Sequence, residues 1–107
     1  MKYYDLYGTR DMTREQLQHI VGAALELTFR ARHSSFIGDY YKADVGREIF
    51  AIEPNYVDEG DEDDVLEPEF ADYPVLLRVS RTERGDEIRN ALLGIAGLEH
   101  LRRDTRD

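Results

Sequence analysis

The stretch "LTFRARHSSFIGDYYKADVGREIFAIEPN", residues 27–55, decides the fold. Its hydrophobic period is two, and turn residues interrupt it twice. In LTFRARHS (27–34), Leu27, Phe29, Ala31 and His33 fall on one side while Thr28, Arg30 and Arg32 fall on the other, which describes a half-buried strand. The rest predicts two more strands, at about 37–43 and 47–54, joined by a turn at Asp44–Gly46. Pro54 closes the second, because proline has no N–H to give to a ladder.

Upstream, KYYDLY (2–7) also alternates, with Tyr4 and Leu6 facing one way and Tyr3, Asp5 and Tyr7 the other, and Gly8 ends it. Thr13 and Gln16 stand at capping-box spacing ahead of Leu17, Ile20, Val21 and Ala24, so a helix is expected over about 14–26. Downstream, PVLLRVSRT (74–82) reads as a strand with Val75, Leu77 and Val79 on one face. ERGDEIRNALLGIAG places Ile88, Ala91, Leu92 and Ile95 on one stripe, predicting a helix over 85–96 with Gly97 as its cap. LEHLRR (98–103) is read as a final strand in preference to a frayed end.

The order is therefore β-α-β-β-β-β-α with a last β. Two helices, each with one apolar stripe, cover one face of a mostly antiparallel sheet, which makes an α+β two-layer sandwich. The expected core holds Leu17, Ile20, Phe29, Leu77, Leu92 and Ile95. The opposite face falls to Tyr3, Tyr7, Arg30, Arg32 and Arg78.

A chain of 107 residues supports one core, so residues 1–107 are expected to form a single domain with an acidic loop at about 55–73. With no cysteine, neither disulfides nor thiolate metal sites arise. MKYYDLYG lacks an apolar leader core and no run of 18 apolar residues occurs, so a cytoplasmic protein without a membrane partner is expected.

The formal charge of −9 is concentrated in one place. Residues 53–72 hold ten carboxylates and no Lys or Arg, leaving thirteen acidic against fourteen basic side chains elsewhere. Such a local field repels nucleic acid and attracts a cationic partner.

Metal binding is the first alternative for this loop, since carboxylates suit Ca²⁺ or Mg²⁺. The EF-hand register fails, however: counting from Asp61 puts Val65 fifth and Leu66 sixth, and counting from Asp58 puts Gly60 third. His19, His33 and His100 lack the spacing of a helical ligand pair, and Ser34 and Ser35 stand in no nucleophile motif. No glycine-rich phosphate cradle occurs, so no catalytic, metal or cofactor residues are assigned. Tyr40, Tyr41, Tyr56 and Tyr73 bracket the hairpin and the acidic loop, and tyrosine suits interfaces because it buries a rigid body and keeps a polar tip.

The segments "KYYDLYG", "FRARHSSFIGDYYKA", "EIFAIEPN" and "PVLLRVSRT", in this order, resemble small bacterial immunity proteins of polymorphic and contact-dependent toxin systems. The resemblance implies a non-enzymatic binding protein that occludes a cognate toxin, often a basic nuclease, inside the producing cell. The partner-binding residues expected on that reading are Tyr40, Tyr41, Tyr56, Asp58, Glu59, Asp61, Glu62, Asp63 and Asp64. The competing readings are an acidic adaptor or nucleic-acid mimic for another basic protein, and a small enzyme using Arg30, Arg32 and Arg78 on an anionic metabolite.

Overall fold

A computed structural model describes residues 1–56 and 65–107. Six strands run β1 (Lys2–Thr9), β2 (Arg30–Ser34), β3 (Gly38–Val45), β4 (Glu48–Pro54), β5 (Val75–Thr82) and β6 (Leu98–Arg106). They form one sheet of order β2-β3-β4-β5-β1-β6, with each neighbouring pair antiparallel. Helices α1 (Arg14–Leu25) and α2 (Gly85–Leu92) pack on one face, as the sequence pattern predicts.

Local chemistry fixes these elements. The Thr13 hydroxyl accepts from the Gln16 N–H at 3.1 Å, and the Gln16 side chain accepts from the Thr13 N–H at 2.9 Å. Two otherwise unpaired amides at the start of α1 are thereby satisfied. The β3–β4 hairpin turns at Gly46–Arg47, one residue later than expected. Gly46 adopts φ 60°, the positive value that tight hairpin turns need at a central position.

The two faces follow from register. The row Ala31–Tyr41–Ile52–Leu77–Tyr7–His100 crosses the sheet on the helix side. There Tyr7, Phe50, Ile52, Leu77 and Val79 meet Leu17 and Val21 of α1 and Ile88 and Leu92 of α2. The row Arg30–Lys42–Ala51–Arg78–Leu6–Arg102 lies on the other side.

Several expectations need correction. Tyr7 belongs to the helix-side core and Leu6 to the far face, the reverse of the assignment from alternation. Both are buried, because the far face is not bare: Leu6 is 2% exposed and Leu76 0%. Residues 65–74 lie over it, and Gly8 is part of the fit, since a Cβ there would stand 3.0 Å from the Tyr73 side chain. Ile20 is 40% exposed and leaves the core list; Leu17 and Val21 are the buried residues of α1, and Leu25 packs against the core at its end. Helix α2 stops at Leu92, short of 96, and turn-like bonds carry the chain through Ile95 to β6. Strand β2 begins at Arg30, three residues late. Leu27 and Phe29 still pack against the core, but Ala31 and His33 are exposed at the sheet edge.

Candidate partner-binding site

The acidic stretch divides into a described frame and the segment 57–64 that it holds. Asn55, immediately after β4, is fully buried. Its Nδ2 donates to the carbonyls of Phe70 and Tyr73, both at 2.9 Å, and its Oδ1 accepts from the Glu67 N–H at 2.9 Å. Its backbone N–H donates to Pro74 at 2.9 Å, and its carbonyl accepts from Leu66 at 2.8 Å. One side chain thus fixes the segment 67–73, which includes a single 3-10 turn at Pro68–Phe70, at three points. Tyr56 and Val65 form an isolated antiparallel bridge, so positions 56 and 65 stand side by side.

Arginines neutralise the acids nearest the sheet. Glu67 lies across the far face, with Arg102 Nη1 and Nη2 each 3.0 Å from its two oxygens. Arg78 reaches Glu67 Oε1 at 2.8 Å through Nη2 and Glu53 Oε1 at 2.6 Å through Nε. The hydrogen bonds from Arg102 come first among the effects holding the Glu67 carboxyl below its ordinary value. Glu53 and Glu67 are therefore structural, and Arg78 is engaged with both. Nothing in the sequence spacing signalled these pairs, because residues 67 and 102 meet only once the segment has folded over β1.

The predicted site residues are distributed unevenly. Tyr56 is 44% exposed beside the loop, with its hydroxyl donating to the Ala71 carbonyl. Tyr40 and Tyr41 are half-buried on opposite faces of β3, and Tyr41 packs against the helix-side core. They do not form one patch. Asp58, Glu59, Asp61, Glu62, Asp63 and Asp64 lie outside the described residues. Tyr73 stacks under Arg10, whose guanidinium lies 4.6 Å from the ring centre, and its hydroxyl donates to Glu99.

Behind the sheet, Asp5 has a fully buried side chain that accepts from Arg103 Nε at 2.8 Å and lies 3.2 Å from His100 Nε2. Arg103 continues to Asp86 of α2 at 2.6 Å, clamping the helix to β6. The neighbouring Tyr7 hydroxyl is buried without a partner among the described residues. Burial pushes its pKa up to about 12, so it keeps its proton in neutral solution. Among the described residues, no group of three His, Cys, Asp or Glu side chains is placed to hold a metal ion, and no helix is long and apolar enough to cross a membrane.

No protein-family model matches this chain, and comparison with curated proteins gives no significant match. The functional reading therefore rests on the residues themselves.

Proposed function

We propose that this protein is a non-enzymatic inhibitor of the immunity type, binding a cationic partner through residues 57–64 and the exposed Tyr56. The observation that carries the reading is a contrast between neighbouring acids. Glu53 and Glu67 are matched to Arg78 and Arg102, whereas the six carboxylates of residues 57–64 have no basic residue among them in the sequence. The ends of that segment are anchored by Asn55 and the Tyr56–Val65 bridge. Concentrated like charge opposes folding, so its presence on an anchored base favours a role outside the fold.

A nuclease toxin fits the chemistry, since a phosphate-binding surface displays Lys and Arg. The resemblance in strand motifs to bacterial immunity proteins supports the same partner and favours an encounter in the cytoplasm of the producing cell. Electrostatic steering brings such partners together at rates up to about 10⁸–10⁹ M⁻¹s⁻¹ at low salt.

The test is association kinetics against ionic strength with the neighbouring gene's product. The comparison is wild type against the variant Asp61→Asn, Glu62→Gln, Asp63→Asn, Asp64→Asn. Folding should be unchanged, while association slows and loses much of its salt dependence. Tyr56→Ala should instead speed dissociation. Parallel salt curves for wild type and the neutralised variant would sink the proposal.

A further inference from the structure

At the opposite end of β4 and β5 from the acidic segment, the charge reverses. Lys2 at the start of β1, Arg47 in the hairpin turn, Arg81 near the end of β5 and Arg84 before α2 line a cleft of about 540 Å³ with Glu48 and Glu83. Four cations against two anions give the cleft a positive excess, where the chain outside residues 53–72 is close to neutral.

The cleft has a built floor. Arg84 Nε and Nη2 meet the two oxygens of Glu48 at 2.8 and 2.9 Å, and the Thr82 hydroxyl donates to the same carboxylate at 2.5 Å. Glu48 is thereby satisfied and removed as a competitor for the remaining cations. Among the described residues, Lys2, Arg47 and Arg81 form no salt bridge.

Arg81 supplies the second, independent observation. Between the pairs Tyr3↔Thr82 and Asp5↔Val79, β5 advances three residues while β1 advances two, which is a β-bulge. Arg81 sits in it at φ 58°, a left-handed conformation that such bulges normally give to glycine. An arginine thus occupies a position that glycine would fit with less strain, and it is exposed beside the cleft. Strain of this kind gathers at ligand sites.

We propose that this cleft binds a small phosphate-bearing anion, held by Lys2, Arg47 and Arg81 over the Arg84–Glu48 floor. Phosphate is the favoured class because one phosphate group offers three acceptor oxygens and up to two charges to the three cations, where a carboxylate offers two oxygens and one charge. The cleft volume falls within the range of small-molecule sites. Tyr56 and Val65, which flank the acidic segment, stand at the other end of the same strands.

The test is titration calorimetry with inorganic pyrophosphate at fixed ionic strength, with citrate as a carboxylate anion of comparable charge. Wild type should bind pyrophosphate measurably more tightly than citrate, and Arg47→Ala should weaken pyrophosphate about tenfold, the usual effect of one charge-assisted contact. Arg81→Gly should weaken it by a similar factor while raising the melting temperature, because glycine relieves the bulge. That opposition separates a binding role from a structural one. Equal affinity for citrate, or an Arg81→Gly variant with unchanged pyrophosphate affinity, would overturn the proposal.

Discussion

Replacing Asn55 with alanine removes three hydrogen bonds at once and leaves their partners behind: the carbonyls of Phe70 and Tyr73 and the amide of Glu67. A buried polar group deprived of its partner costs about 1–3 kcal/mol. Pro68, Glu69 and Asp72 of the same segment are exposed, so water can reach part of this region and the lower end applies. Three groups at about 1 kcal/mol each give a loss of roughly 3 kcal/mol, a large share of the 5–15 kcal/mol typical of a domain. The backbone bonds of Asn55 to Pro74 and Leu66 survive the change, so the segment should loosen but not detach. Equilibrium urea denaturation followed by tyrosine fluorescence should show the midpoint falling by about 1 M or more, for a slope of 1–3 kcal/mol per molar. Asn55→Asp is the sharper control: it keeps the acceptor, loses both donors and aims a carboxylate at two carbonyls. It should be at least as damaging. A midpoint unchanged in either variant would show that water replaces the carboxamide and that Asn55 does not hold the frame.

Stability should also depend on acid through Glu67. Its carboxyl is held below the ordinary 4.5, first by Arg102, so its contribution is present above pH 4.5 and is lost as the pH falls through the lower folded value. Urea midpoints across this range should flatten in Glu67→Gln, and identical pH profiles would refute the coupling. Leu92→Ala should cost roughly 2–5 kcal/mol, since Leu92 is 2% exposed and truncation leaves a cavity under α2. Ile20→Ala, at a 40% exposed position, should cost less than about 1 kcal/mol, and equal losses for the two would contradict the observed packing of α1.

The strand pattern was legible because antiparallel strands alternate and turns carry their own chemistry. The Thr13–Gln16 cap and the Pro54 terminus stand where the residues place them. What alternation could not assign was sidedness in β1, where Leu6 and Tyr7 are adjacent and both buried. Adjacent strand residues point to opposite faces, so two neighbours buried together require both faces to be covered. Leu76 and Leu77, each 0% exposed, carry the same signal inside PVLLRV. That doublet is the mark in the sequence of the segment that folds over the far face. By contrast, the Asn55 hub has no such mark, because its partners are main-chain carbonyls and an amide that any sequence would supply. The same alternation separates two of the tyrosines: Tyr40 and Tyr41 are neighbours in a strand and face opposite ways.

Charge segregation links the two ends of the molecule. Glu48 begins β4 beside the cationic cleft, and Pro54 ends it beside Asn55 and the acidic segment. Seven residues of strand span about 23 Å at 3.3 Å each. The Debye length at physiological salt is about 8 Å, so across solvent the two ends scarcely feel one another. The acids that do lie within reach of the sheet, Glu53 and Glu67, are paired with Arg78 and Arg102. Pairing is thus used where these two carboxylates meet the sheet. A cationic protein would be steered to one end and a phosphate to the other, so neutralising residues 61–64 should leave pyrophosphate binding unchanged. If that variant altered both affinities, the two ends would be coupled and the independence argued from distance would fail.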